Sequence, residues 1–313
     1  MNFKEKFHSF FKKKFSPKPF VFFNKECNGR CIYCLATNDV AMTDEEIDQV
    51  LGAGFNEISI LGGEPLLCKD LEDKVRRMKA AGVKKIQLFT NALLLSKERA
   101  DSLAEAGVTC FNINFPAHTP KEHEIISGLP GNLQRQTEAI KYACKISHES
   151  AVLVCVVNSV NYTLLSDYVK YAHENFPGLF YILFIFVKAV GRVRENKWVL
   201  PRMTDVGPEM VKALKIAKEL GISCLVDGMP LCFLPGCEAY SWDITHKLDG
   251  FNRYPTSQAV VENCTKCSLF DICVGPRTEY VEIYGTEEFK PLSKNKDGIL
   301  EIVKKGQLRL NAK

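Results

Sequence analysis

From Pro19 onward the chain alternates two kinds of apolar pattern. Short runs rich in Val, Ile, Leu and Phe alternate with stretches whose apolar residues recur at three- and four-residue spacing. The first kind reads as buried strand and the second as amphipathic helix. Runs at 20–23, 57–61, 85–90, 108–115, 151–157 and 179–187 predict six strands. Helices are expected from Thr43, and over 71–81, 97–107, 133–146 and 164–174. Thr43 and Glu46 form a capping box, and Gly82 stops the second of these helices. A long polar loop is expected after the fourth strand. Strands separated by helices imply a parallel sheet with right-handed crossovers, either open and doubly wound or a partial barrel. No Gly-rich dinucleotide fingerprint follows the first strand, which disfavours a Rossmann fold.

After residue 187 the rhythm changes. Gly191-Arg192 lies in a basic loop, a helix is expected over 209–220, and a short strand over 222–226. Beyond Asp227 the pattern assigns no regular element. A boundary near residue 205 therefore divides a core at 19–205 from a loop-rich region at 206–313. The first eighteen residues form a basic leader with Phe3, Phe7, Phe10 and Phe11 at helical spacing. It reads as a short helix packing on the main domain rather than a surface for lipid, RNA or peptide.

The first predicted strand runs into Cys27-Asn-Gly-Arg-Cys31-Ile-Tyr-Cys34. Three thiolates on one tight loop suit three irons of a cubane and leave the fourth iron open, whereas a structural cluster usually takes four cysteines. A zinc knuckle with a distant fourth ligand is the plainer alternative, although zinc loops more often pair their cysteines. In a parallel α/β sheet, ligand loops sit at the carboxyl ends of strands. Gly62-Gly63-Glu64-Pro65 follows the second strand, Thr90-Asn91-Ala92 follows the third, and Asn112 and Asn114 lie near the end of the fourth. All should converge on one face, where paired glycines let backbone approach closely and Glu64 can accept hydrogen bonds from an ammonium group.

Together these motifs resemble the core of the radical S-adenosylmethionine (SAM) superfamily, over about residues 19–200. The resemblance implies a partial (β/α)6 barrel of parallel strands. It implies that Cys27, Cys31 and Cys34 ligate a [4Fe-4S] cluster whose open iron is chelated by SAM. Tyr33 would pack near the adenine, Gly62, Gly63 and Glu64 would bind the methionine amino group, and Asn91 would join the cofactor site. Asn112 is the candidate ribose contact, where the family's strand usually carries serine. The activity implied is reductive cleavage of SAM to a 5′-deoxyadenosyl radical that abstracts hydrogen from a peptide or small molecule. An electron donor such as flavodoxin or ferredoxin is the expected partner.

A second group, Cys264-Thr-Lys-Cys267-Ser-Leu-Phe-Asp-Ile-Cys273, resembles the auxiliary-cluster extensions of the SPASM and twitch subfamilies. Arg277 stands where the fuller SPASM pattern has another cysteine. The fourth ligand of an auxiliary [4Fe-4S] cluster should come from upstream, from Cys232 or Cys237. Cys232, in its Met-Pro-Leu-Cys setting, is preferred. The same four sulfurs could build a structural zinc site, so a non-catalytic metal-binding module is the alternative class. Molybdenum-cofactor cyclases share a core and C-terminal cysteines but end in Gly-Gly. This chain ends Leu-Arg-Leu-Asn-Ala-Lys, which disfavours that activity.

Composition adds bounds. With 313 residues and 46% hydrophobic content the chain supports a large core. A net charge of +4 does not call for nucleic acid. No apolar run is long enough for a transmembrane segment. No signal peptide is visible, so a cytoplasmic location is expected, where thirteen cysteines stay reduced. Cys68, Cys110, Cys144, Cys155 and Cys224 are isolated, and Cys110 and Cys155 read as buried apolar positions. His118 and His123 read as solvated loop histidines. Lys188, Arg192 and Arg194 read equally as an anion-binding set or a solvated loop.

Overall fold

The computed structural model describes residues 19–35, 41–146, 151–248, 258–259 and 261–311. The leader at 1–18, with its phenylalanines, lies outside the described residues.

Seven parallel strands form one open sheet. They are β1 Phe20–Phe22, β2 Glu57–Leu61, β3 Lys85–Thr90, β4 Cys110–Asn114, β5 Ala151–Val157, β6 Tyr181–Phe186 and β7 Cys224–Asp227. Each strand pairs only with its sequence neighbours, in the order β1-β2-β3-β4-β5-β6-β7. A doubly wound sheet must reverse its strand order at a switch point. This order never reverses, so the crossovers all fall on one side and the sheet curls as a partial barrel. The crossover helices are α1 Asp44–Gly52, α2 Leu71–Ala80, α3 Lys97–Ala106, α4 Pro120–Ser127, α5 Leu133–Ile146, α6 Leu165–Asn175 and α7 Met203–Glu219.

Strand alternation sorts the side chains between two faces. Leu153 and Cys155 of β5, and Ile182 and Phe184 of β6, join the main core beneath the helices. Val152, Val154 and Leu183 point the other way and pack with Phe89, Tyr181, Ile185, Leu225 and Trp242. Cys155 is fully buried, and Cys110 is half-buried among the residues of the second face.

The structure differs from expectation in three places. β7 pairs in register with β6, Ile182 opposite Cys224, so the sheet continues past residue 205 and has seven strands rather than six. The loop expected after β4 contains α4, which Pro120 begins at its first turn and Gly128, at φ 66°, ends. Beyond Asp227 the chain is not without regular structure. Short helices Trp242–Leu248, Glu262–Thr265 and Thr278–Tyr284 precede the longer Lys296–Asn311. The first and last of them contribute to a small core of Leu231, Ile244, Leu269, Ile272, Ile299 and Val303, while Cys264 and Tyr280 of the other two pack with the main core. The three short helices carry too few turns to show a period.

The C-terminal region is bonded to the barrel. Buried Arg277 donates to the carbonyl of Phe186 at 2.8 Å and reaches Asp227 at 3.4 Å. Tyr280 accepts from the backbone N–H of Met203, and Tyr284 donates to the carbonyl of Leu200. Among the described residues no helix is long and apolar enough to cross a membrane.

Candidate functional site

The Cys27–Cys34 loop leaves the end of β1 and is held from three sides, mostly through its backbone. Gly63 N–H donates to Asn24 O (3.1 Å) and Glu64 N–H to Glu26 O (2.6 Å). Asn24 Nδ2 donates back to Glu64 O (2.7 Å). Arg30 and Ile32 donate their N–H groups to Ser127 O (2.8 Å) and Ile126 O (2.9 Å) at the end of α4. Arg192, in the one-turn helix Arg192–Glu195 after β6, donates Nη1 to Cys31 O (3.1 Å) and its N–H to Cys34 O (3.2 Å).

Two glycine sites make this contact possible. A Cβ on Gly63 would stand 1.9 Å from Glu26 O, and one on Gly191 2.5 Å from Cys34 O. Gly191 also has φ 57°, a conformation that favours glycine. Gly62, at φ 150°, lies as closely against Asn24, with 2.7 Å to its carbonyl oxygen. In this chain the glycine pair lets two protein loops touch, whatever it does for a ligand.

Glu64 is 1% exposed. Its carboxylate accepts from Leu66 N–H (3.1 Å), the Thr90 hydroxyl, and Asn91 N–H (2.7 Å). A carboxylate offers about four acceptor positions, so one remains, on Oε2. Burial raises its pKa, against the lowering by Asn91, Thr90 and Leu66. Glu64 thus ties the 62–64 turn to the end of β3 and keeps at most one acceptor position for a bound ammonium.

Asn91 Nδ2 donates to Asn28 Oδ1 within the cysteine loop (2.7 Å). Tyr33 donates its hydroxyl to Asn114 Oδ1 (2.6 Å), and Asn114 Nδ2 stands 3.9 Å from Cys31 Sγ. Asn112, one alternation earlier on β4, is 2% exposed and bonded weakly to Gln87 of β3 (3.4 Å). The structure brings Cys27, Cys31, Cys34, Tyr33, Gly62, Gly63, Glu64 and Asn91 to one edge of the sheet. Asn112 lies deeper, and Asn114 is the residue of β4 that touches the loop.

The loop thiols are exposed at Cys27 and half-buried at Cys31 and Cys34. Burial, then the neighbouring Cys34 and Cys27, pushes Cys31 up to about 12. Burial also raises Cys27, opposed by the Gly29 N–H bond. Cys27 and Cys31, each raised by burial and, less, by neighbouring thiol charge, suit a bound cation, which supplies the opposing charge and displaces the protons.

The second group is assembled from separate segments. Cys232, in the single turn Leu231–Phe233, is pushed up to about 12 by burial and then by the charges of Cys273 and Cys264. Cys264 is raised by burial and then by Cys273 and Cys267. Cys267 Sγ accepts from Leu292 N–H (3.3 Å) and Cys273 Sγ from Gly275 N–H (3.4 Å). Cys237 is buried elsewhere: burial raises it, and the charges acting on it are Lys215, Glu238, Lys218 and Lys294 rather than thiols. Among the described residues, no three His, Cys, Asp or Glu side chains are gathered as closely as around one metal ion.

The histidine expectation fails. His123 lies on α4, is 2% exposed, and bonds through Nε2 to Gln136 Oε1 (2.8 Å). His118 is half-buried against Tyr168 and Tyr171. The misreading follows from taking the segment as loop. Arg192 turns inward onto the cysteine loop, whereas Arg194 is exposed. Asn28 and Gln136 escaped the sequence reading. Gln136 had a signal, since it interrupts the apolar stripe Leu133, Ala139, Ile140, Ala143 of α5.

A parallel partial barrel with a three-cysteine loop at the carboxyl edge of its first strands defines a class. Residues 21–171, just under half of the chain, match the family model of the Radical SAM superfamily, whose enzymes take a [4Fe-4S] cluster and SAM as cofactors. Curated relatives include GTP 3′,8-cyclase of Limosilactobacillus fermentum, 30% identical over 173 residues (51% of each chain). GTP 3′,8-cyclase of Peptoclostridium acidaminophilum is 35% identical over 163 residues, covering 48% of this chain and 49% of that one. The chain thus spans about half the length of these curated relatives. Among solved structures, Streptococcus suis SuiB bound to precursor peptide SuiA is similar over 92% of this chain and 79% of that one, with TM-score 0.63 and 16% identity. Native anSMEcpe with bound AdoMet and Kp18Cys peptide is similar over 95% of this chain and 99% of that one, with TM-score 0.61 and 16% identity. These two likenesses concern the fold, and they extend over the C-terminal region.

Proposed function

We propose that the protein is a radical SAM enzyme with one auxiliary [4Fe-4S] cluster, acting on a peptide or a small molecule. The carrying observation is the convergence of the three-thiol loop, the 62–64 turn, Asn91 and Asn114 at one sheet edge. When bound and reduced, the cluster with SAM supplies a 5′-deoxyadenosyl radical for hydrogen abstraction. The protein's own residues do the rest. Cys27, Cys31 and Cys34 hold the cluster, and Arg192 and the end of α4 fix their loop. Gly62, Gly63 and the free acceptor position of Glu64 face the methionine amino group. Tyr33 and Asn91 complete the site beside it. Asn112, and Asn114 above it, are the β4 side chains available to the ribose. Cys232, Cys264, Cys267 and Cys273 hold the auxiliary cluster, and four protein ligands favour electron transfer over substrate binding there. A low-potential donor such as flavodoxin or ferredoxin supplies the electron.

A peptide is the better supported substrate. Fold likeness over more than nine-tenths of the chain is to SuiB and anSMEcpe, each seen with a peptide. GTP cyclisation is the second reading, favoured by the identity to the cyclases.

The test is anaerobic reconstitution, reduction, and incubation with SAM plus either GTP or a peptide library, read by mass spectrometry. Release of 5′-deoxyadenosine and methionine is expected, with a peptide losing hydrogen. No SAM cleavage under any condition refutes the enzyme reading. A GTP-derived product moves the substrate to the second reading.

A further inference from the structure

We propose that Gln136 and His123 are positioning residues that set the gap between the ends of β3 and β4, and through it the fit of SAM. The proposal rests on the radical SAM reading above. The β3–β4 ladder closes with Thr90 opposite Ile113. One residue further on, the two strands part, and Asn91 and Asn114 each carry a carbonyl with no ladder partner across the gap. Gln136 fills that gap from α5. Its Nε2 donates to Asn91 O at 2.7 Å and to Asn114 O at 2.8 Å. A primary amide has two N–H donors, so both are spent on this bridge. Its Oε1 accepts from His123 Nε2 at 2.8 Å, which fixes the amide's orientation. Both side chains are 2% exposed.

The residues so bridged hold the cysteine loop. Asn91 bonds Asn28, and Asn114 bonds Tyr33 and approaches Cys31. His123 itself stands on α4, whose last carbonyls, Ile126 and Ser127, receive Ile32 and Arg30 of the same loop. The Ser127 hydroxyl donates back to His123 O at 2.7 Å. One buried pair therefore links the two strand ends to the helix that carries the loop. Neither side chain reaches the cysteine sulfurs, so the pair acts through the spacing of Asn91, Asn114 and the loop.

Gln136→Glu separates the two bonds. It keeps an acceptor toward His123 and removes both donors to the carbonyls. The reconstituted variant is expected to retain the parent's iron content and to bind SAM at least tenfold more weakly, with a smaller SAM-induced change in the reduced-cluster spectrum. Hydrogen exchange of the protein as isolated should quicken in peptides spanning residues 90–95 and 112–117. A second pair covers failure of that variant to fold: His123→Phe should weaken SAM binding, and His123→Gln, which can donate to Gln136, should restore it. Parent-like SAM affinity in Gln136→Glu, or equal affinity of the two His123 variants, overturns the proposal. Loss of iron and affinity in parallel with thermal stability also overturns it, since that marks a general fold defect. A parent protein that never responds to SAM refutes the radical SAM reading instead, and the exchange rates still decide whether Gln136 ties the strand ends.

Discussion

The two cysteine groups are built in opposite ways. Cys27, Cys31 and Cys34 sit within eight consecutive residues, and what surrounding elements hold is the backbone between them: the 62–64 turn, the end of α4 and Arg192. Cys232, Cys264, Cys267 and Cys273 come from segments about thirty residues apart. Backbone N–H bonds to sulfur occur in both groups, from Gly29 to Cys27 Sγ in the loop and from Leu292 and Gly275 to Cys267 and Cys273 Sγ. N–H bonds to sulfur favour the charged ligand and tune a cluster's potential. A single loop fixed through its backbone, with Cys27 exposed, suits a cluster that must keep a face open. Half-buried thiols gathered from separate segments suit one that stays closed. The difference teaches that ligand count and ligand environment are separate design choices.

The largest expected effect comes from replacing Cys27, Cys31 and Cys34 together by Ala. SAM cleavage should vanish, while about four irons, unresponsive to SAM, remain in the C-terminal group. Iron analysis and spectroscopy of that variant measure both. Zinc in place of a cluster there would break the comparison, leaving a structural site beside a catalytic one.

Next, Cys232→Ala should remove about half of the iron of the intact protein, because a cubane lacking one of four thiolates is poorly retained. Cys237→Ala should keep it, since Cys237 faces lysines and Glu238 rather than the other thiols. Equal iron in the two variants, or loss only in Cys237→Ala, transfers the ligand.

A smaller effect is expected for Gly63→Ala, in which the added Cβ meets Glu26 O. Relief requires the cysteine loop to move, at a cost of about 1–3 kcal/mol. SAM affinity should fall while the C-terminal iron is unaffected, read by titration and by iron content in the triple-cysteine background. Parent-like affinity would mean that the loop's seating on the turn does not matter to the site.

The smallest effect concerns pH. Burial holds both His118 and His123 below their ordinary 6.5. Below that pH the unfolded chain takes up protons that the folded one refuses, so stability present above pH 6.5 is lost as pH falls toward the folded values. Urea midpoints at pH 7.5 and 5.5 should fall further in the parent than in His118→Asn/His123→Asn, by no more than about 1–2 kcal/mol. Equal falls would mean that neither buried ring matters to the acid limit. Both histidines belong to the barrel, so the effect should be absent from the C-terminal cluster's own loss of iron.

The site was legible wherever chemistry is written locally. The cysteine triplet needs a single loop, and strand ends carrying Gly62-Gly63-Glu64 and Asn91 need only the parallel rhythm to converge. Asn112 against Asn114 was not legible, because alternation puts both on one face and only depth along β4 separates them. His123 was misread for a different reason. Eight residues with a proline start give little helical periodicity, so α4 passed for loop and its histidine for solvated. Glu64 stands beside the cysteine loop, but nothing in a Gly-Gly-Glu triplet states that Thr90, Asn91 and Leu66 occupy most of its acceptors.

Sequence alone determined the alternation of strand and helix, the parallel sense it forces, and the three-thiol loop at the end of β1. Those properties depend on period and spacing, which are local. Only tertiary structure decided that β7 completes the sheet beyond residue 205, that Cys232 rather than Cys237 faces Cys264 and Cys273, and that Gln136 spans the gap between β3 and β4. Each of these is a meeting of residues far apart in the chain, fixed by how helices pack across a curled sheet. No spacing within a single segment encodes it.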